Sequence, residues 1–314
     1  MKRTQHGVAL ITAILIVALA AIAAAAVLSS ANLAIHRTQN LQESELAWWY
    51  VDGVEGWVKT ILQRDAEVNK YDSMRDVWAT PVDFLPVDEG GLRGGVSDLQ
   101  GRFNINNLAV TDPPRYQKEL AVFSRLFALA TEGDEYQAHA IADAIRDYVD
   151  SNSEPTGSDG AEDSDYLGMD PARRVPNQPM ASISELLLVK GMTPVLYARL
   201  APYLCALPKI GTTINVNTAS PLLLRALTEH PNAELERFTE ERLKTPAENI
   251  SELFNTRQVF GADDPQELMG TGSEFFELQV EAFIGSGKVQ LYSFYYRPGT
   301  NGTPLVYGRS TFTE

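Results

Sequence analysis

A chain of 314 residues with 41 acidic against 26 basic side chains carries a formal net charge of −15, and phosphate binding, which draws on clustered Lys and Arg, is a poor use for it. Its single cysteine, Cys205, excludes an intramolecular disulfide and any cysteine-rich metal centre. No two of the four histidines (His6, His36, His139 and His230) stand at H-x-x-x-H spacing, and neither G-x-S-x-G nor G-x-x-x-x-G-K occurs, so the chain reads as something other than an enzyme.

The N-terminus is the most informative stretch. Val8 to Leu28 carries no charge and, Thr12 apart, almost no polarity, which is enough apolar length to span a bilayer as a helix. Lys2 and Arg3 precede it, whereas Glu43 and Glu45 lie beyond its far end, an asymmetry that places the N-terminus in the cytoplasm and the rest of the chain in the periplasm. Three readings fit the span: a secretory signal cut among Ala20–Ala26, an uncut anchor, or a short basic leader ending at Gly7 and removed before Val8. The last gains from the residues beyond the span. From Ser29 to Leu62 no proline intervenes, and Leu33, Leu41, Ala47, Tyr50, Val51, Val54 and Val58 recur at helical spacing, so one helix is expected to leave the membrane and dock on a head.

Residues 63–108 read as strands and turns, with Asn106 or Asn107 expected to cap a helix start. Helical periodicity fills 109–270 apart from a polar loop over 151–180. Within it, Ser182-Ile-Ser-Glu-Leu186 and Asn249-Ile-Ser-Glu-Leu253 both show the capping-box pattern. The first leads through Gly191 to a second helix, and Asn215–Ser220 before Pro221 resembles the opening of a helix-hairpin-helix module; with so few cations nearby it is read as scaffold. Cys205, in apolar surroundings, is read as a buried structural residue. The four tryptophans (Trp48, Trp49, Trp57 and Trp78) are assigned to the membrane interface and to packing of stem against head. Residues 271–314 return to strands. Phe276, Leu278, Val280 and Ala282 alternate onto one face, and Lys288–Arg297 and Leu305–Phe312 form two further candidates. The fold class expected is α+β: a stem helix on a small antiparallel sheet, interrupted by a large all-α insert.

The loop from Asp147 to Asp170 is the one candidate chemical site, rich in carboxylates and without Lys or Arg. Asp150-Ser-Asn-Ser-Glu154 opens like an EF-hand, but Pro155 stands where the glycine belongs and Ala161 where the bidentate Glu belongs. Hard oxygen ligands favour calcium; a solvated acidic loop is the plain alternative.

Leader, glycine junction, apolar span and helical continuation together resemble the type IV pilin and type II secretion pseudopilin family. Thr12 holds the fifth position after the junction, where most members carry Glu, and this, with the insert and the Glu162–Tyr166 stretch, is similar to the K-type minor pseudopilins. The resemblance implies a leader over 1–7, cleavage between Gly7 and Val8 by a prepilin peptidase with methylation of Val8, a transmembrane helix over 8–28 and a stem over 29–62. It also implies calcium in the acidic loop, with Asp150, Glu154, Glu162, Asp163 and Asp165 as ligands. The function implied is that of a minor subunit at the tip of the secretion pseudopilus, supporting export of folded periplasmic proteins. Its implied partners are the I-type and J-type minor pseudopilins, the major pseudopilin and the inner-membrane assembly platform. The alternatives are a minor pilin of a surface type IV pilus and a membrane-tethered helix-hairpin-helix protein that binds DNA.

Overall fold

The computed structural model describes residues 6–299 and 302–311; Lys2 and Arg3 at the start of the leader, and Phe312 at the end of the last expected strand, lie outside the described residues. One helix, α1 (His6–Val68), runs unbroken for 63 residues. With no proline along it, nothing removes a backbone donor or forces a kink. The expected passage from membrane span into stem is therefore continuous, and the helix ends at Val68, past the last apolar position of the sequence pattern. Among the described residues α1 is the one helix long and apolar enough to cross a membrane.

After α1 come β1 (Val82–Val87) and β2 (Gly90–Asp98), then the short β3 (Phe103–Asn104). The helical region follows with α2 (Pro113–Thr131), α3 (Glu135–Val149), α4 (Asp163–Tyr166) and α5 (Pro194–Leu200). It continues through β4 (Leu204–Cys205), β5 (Ile214–Asn215), α6 (Pro221–Ala226), α7 (Ala233–Glu241), α8 (Ile250–Asn255) and β6 (Met269–Gly270). The chain closes with β7 (Phe275–Ile284), β8 (Gly287–Tyr296) and β9 (Leu305–Ser310).

Five strands form one antiparallel sheet in the order β1-β2-β7-β8-β9. Asp98 pairs directly with Phe276, so everything between them is spliced in between two adjacent strands. The expected α+β architecture, with its insert, is the one observed. Gly90 shows how close β2 lies to β7: a Cβ there would stand 1.8 Å from the Phe283 carbonyl oxygen, so any side chain would push the pair apart.

Two main cores divide the burial. Along α1, Ala47, Val51, Val58 and Leu62 form one stripe that packs on Phe276, Leu278, Val280 and Ala282, the face the alternation of β7 selects. Each large aliphatic side chain so buried contributes about 1.5–3 kcal/mol. Trp78 stands edge-on to Phe276 at 5.2 Å and is buried, whereas Trp48, Trp49 and Trp57 are exposed on α1. Of the tryptophans, Trp78 is the one buried between stem and sheet, and Trp57 lines the cleft beside it. The insert has its own core, centred on Phe103, Phe123, Phe127, Ile141 and Ile145. A small third cluster, Leu99, Cys205, Leu207 and Phe275, joins insert to sheet and buries the cysteine.

Local caps follow the sequence with two corrections: the box expected at Asn249 forms only as the simple cap, and the cap expected at Asn106 or Asn107 lies elsewhere. The Ser182 box forms, its helix being a 3₁₀ turn over Ile183–Leu188, and Gly191 then takes φ +84° to reverse the chain into α5. Asn249 and Ser220 cap α8 and α6. The cap expected at Asn106 or Asn107 is Asn104, whose side chain accepts from the Asn106 amide. Asn106 and Asn107 turn inward instead. Asn106 donates to Met180 O at 3.0 Å and Leu207 O at 2.8 Å, and Asn107 to Thr212 O at 2.9 Å, so both tie segments of the insert together.

Candidate functional site

The acidic loop is built around Asp147, on the last turn of α3. This side chain is fully buried, and its carboxylate accepts hydrogen bonds from the Thr156 amide at 2.9 Å and the Ala161 amide at 2.7 Å. The loop is thereby pinned back onto the helix that precedes it. Gly160 permits the close approach, since a Cβ there would lie 2.3 Å from Asp147 Oδ2.

Pinning Ala161 carries Glu162 inward. Glu162 is 4% exposed, and neither of its carboxylate oxygens finds a hydrogen-bond partner among the described residues. Burial, and then the charges of Asp147, Asp150 and Asp163, push its pKa up to about 7. Asp150 caps the C-terminal end of α3, accepts from the Asn152 amide at 3.1 Å, and is pushed up in pKa by its own burial. Asp163 accepts from the Val175 amide at 2.9 Å.

The five carboxylates expected to bind calcium are thus not equivalent. Glu162 feels the charges of Asp150 and Asp163 at the loop base. Asp165 is turned to Lys190 Nζ at 2.7 Å, and that contact holds its pKa below the usual carboxylate range. Glu154 is exposed, its amide donating to Asn152 Oδ1. A buried carboxylate with two unpartnered oxygens amid like charges is costly, and a hard cation is the chemistry that relieves it. Of the five, Glu162 alone offers buried oxygens without a partner, and among the described residues no three of the five bring their oxygens within 4.8 Å of one another; Asp165 already has a counter-charge.

A second acidic group has no signature in the sequence. Asp65, Asp72 and Asp76 bring carboxylate oxygens within 4.8 Å of one another where α1 meets the sheet. Here a cation is present within the chain itself. Arg297 Nη2 donates to both Asp72 oxygens at 2.6 Å and to Ser273 O at 2.9 Å, while Nη1 reaches Asp65 Oδ2 at 3.3 Å. Even so, burial and then Asp76 and Asp72 push the Asp65 pKa up to about 6.

Beside this group lies Asp98, the last residue of β2. It accepts from Ser273 Oγ and Thr218 Oγ1, both at 2.6 Å, and from Asn215 Nδ2 at 2.9 Å. Burial pushes its pKa up to about 6 despite those bonds. Asn215 also donates to Asp72 O at 3.1 Å, so the two networks meet. Together they lock stem, sheet and insert at one point. Farther down the stem Glu55 performs a similar task, accepting from Arg309 through two bonds of 2.7 Å and from Ser293 Oγ at 2.6 Å.

Comparison with known proteins identifies relatives of this arrangement. The family model described as type II secretion system (T2SS), protein K, matches residues 101–209. Type II secretion system protein K of Aeromonas hydrophila is 31% identical, over 95% of this chain and 95% of its own length. The protein of the same name from Pseudomonas aeruginosa is also 31% identical, over 98% and 93% respectively. Among solved structures, the GspK-GspI-GspJ complex of the type 2 secretion system of enterotoxigenic Escherichia coli holds a chain that superposes with a TM-score of 0.77 at 25% identity, covering 88% of this chain and all of that one.

Proposed function

The chain belongs to the type II secretion system protein K family, and on that premise we propose that it is the minor pseudopilin that caps the tip of a secretion pseudopilus and supports export of folded periplasmic proteins. The observation that carries the reading is α1, one unbroken helix whose first part is exposed and apolar and whose last part is the spine of the sheet. Such a subunit transmits position from the membrane to the head without a joint. Its role is structural. In its anchored state α1 crosses the inner membrane once, with the N-terminus cytoplasmic and the head periplasmic.

Thr12 supports a terminal position. Its hydroxyl donates back along the helix, with Val8 O at 3.1 Å and Ala9 O at 3.0 Å, so it brings neither a charge nor an unmet polar group into lipid. A carboxylate there would need a partner from the subunit ahead, since an unpaired charge in the bilayer is expensive. A subunit with none ahead is better without it.

The partners we assign are I-type and J-type minor pseudopilins, by analogy with the complex of the Escherichia coli relative; the major pseudopilin and the assembly platform follow from the same role. Co-expression tests the assignment. Solubilised with its cognate I- and J-type subunits, the chain is expected to elute as one three-component complex. Elution of this chain alone, while the other two stay together, refutes it.

Maturation follows the same logic. We assign cleavage between Gly7 and Val8 by a prepilin peptidase, with methylation of the new amine. Intact mass spectrometry of membrane-extracted protein is expected to find Val8 first and one methyl group added; an N-terminus at Met1, or beyond Ala20, contradicts it. Calcium is the ion we assign to Glu162, where it would neutralise the carboxylate and hold the loop against α3.

A further inference from the structure

We propose that the cleft between the upper stem and the β1–β2 pair receives an apolar anchor side chain flanked by carboxylates, carried by the soluble head of a neighbouring subunit. The inference rests on the partner assignment above and adds where contact is made and by what chemistry. The cleft holds about 350 Å3, within the range of natural ligand sites. Its floor belongs to the core: Val58, Trp78, Leu92, Leu278 and Val280 line it and are buried.

The opening has a cause in the sequence. Leu92, Gly94 and Val96 alternate onto the face of β2 that meets α1, and the middle position has no side chain to fill the layer. Gly94 pairs directly with Val280, and a Cβ on it would stand 2.3 Å from the Gln279 carbonyl oxygen. The close approach of β2 to β7 therefore keeps that position empty, and the gap stands ready before any partner arrives.

Above the floor the lining is apolar and open to water. Trp57, Val77 and Leu85 are 53%, 73% and 41% exposed. Large apolar side chains left open around a cavity mark a protein contact. Tryptophan and arginine, the types in which binding energy concentrates, both line this one.

Charge identifies what the partner brings. In a chain of net charge −15, the charged residues of this lining are Arg75 and Arg93, with no acid among them. Among the described residues Arg75 forms no ion pair. Its Nη1 donates to Lys244 O at 2.7 Å, which brings the insert to the same surface. Arg93 shares Glu281 with Lys288, so that group keeps one positive charge in excess. An apolar anchor beside Asp or Glu is the complement.

Two other occupants fit less well. A lipid headgroup is out of reach, since Val54 stands roughly 40 Å along α1 from Leu28, at about 1.5 Å per residue. A second copy meeting through the same patch would set arginines against arginines. A neighbouring subunit with a stem of its own, by contrast, carries its head to that height.

Photo-cross-linking tests this in the full chain, co-expressed with its cognate I- and J-type subunits and carrying benzoylphenylalanine in place of Val77 or of Leu85. Irradiation is expected to join the chain through these positions to the head of one of the two subunits, beside an Asp or Glu. Arg75→Glu and Val77→Glu, both at exposed positions, should each weaken the complex at least tenfold while melting, when purified alone, at the temperature of the unmodified chain. The proposal is overturned if the three subunits assemble and neither position cross-links to a partner. It is overturned as well by a product that joins this chain to a second copy, to the major pseudopilin or to lipid, or by an Arg75→Glu chain that binds as tightly as the unmodified one. Failure of the three subunits to assemble at all would refute the partner assignment, and this contact with it.

Discussion

Replacing Arg297 by Leu should destabilise the chain by about 3–5 kcal/mol, because removing one partner of a buried ion pair leaves the other charge uncompensated. The side chains of Arg297, Asp72 and Asp65 are 5%, 4% and 8% exposed, so water cannot take the place of the guanidinium. Ser273 O loses its guanidinium donor in the same step, and Leu62 O, already bonded within α1, loses a second one. At roughly 2–4 °C per kcal/mol for domains of 150–250 residues, the melting temperature should fall on the order of 10 °C. Adding Asp72→Asn to the same chain should recover part of the loss, since it removes the stranded charge. Thermal melts of the unmodified chain and the two variants decide the matter. A loss below about 1 kcal/mol for Arg297→Leu would mean that the joint holds by packing alone.

The second large effect concerns the acidic loop and its dependence on pH. Glu162 and Asp98 have folded-state pKa values pushed up to about 7 and about 6, so the folded chain holds these protons more tightly than the unfolded one. Their contribution is therefore greatest below the ordinary carboxylate range and is lost as the pH rises through about 6 and then about 7. In the presence of chelator, melting temperature should fall across that window. Calcium should reverse the trend at its upper end, where Glu162 is ionised beside Asp147, Asp150 and Asp163. With a dissociation constant of about 10⁻⁴ to 10⁻³ M, as in extracellular sites, calcium at about 10 mM would add roughly 1.4–2.7 kcal/mol. Glu162→Gln should shrink the fall above about pH 6, leaving the share of Glu119, whose buried carboxyl is likewise pushed up to about 7, and should remove the calcium response. Scanning calorimetry across pH 5–8, with calcium and with chelator, reads both effects. A calcium response that survives Glu162→Gln would place the ion elsewhere.

What the sequence reveals of this chain is what repeats locally. The apolar run before Leu28 and the helical spacing from Leu33 to Val58 announce α1, and strict alternation from Phe276 to Ala282 announces both a strand and its buried face. The carboxylates of the acidic loop are equally visible, since they lie within about two dozen residues. Their division of labour is not visible. Only the fold shows that Lys190 claims Asp165 and that Glu162 turns inward without a partner. The joint is hidden for a related reason: Arg297 meets Asp72 across 225 positions of chain, and each looks like an ordinary surface charge where it stands. The misplaced cap has a tertiary cause. Asn104, Asn106 and Asn107 are equally good capping residues, and the tertiary partners of the last two, Leu207 O and Thr212 O among them, settle the choice. The glycines of β2 suggest turns in isolation, and the backbone of β7 explains them as a strand.

The tip assignment rests on the size of the insert and on a stem without the fifth-position carboxylate. A bulky head crowds a stacked array but not its end. The most direct measurement is copy number. Sheared pseudopili, analysed by quantitative mass spectrometry against labelled standards of this chain and the major pseudopilin, should contain this chain far below the major subunit, with its I- and J-type partners at comparable amounts. A ratio near one to one with the major subunit, or antibody labelling spaced along the shaft in electron micrographs, would contradict a place at the tip.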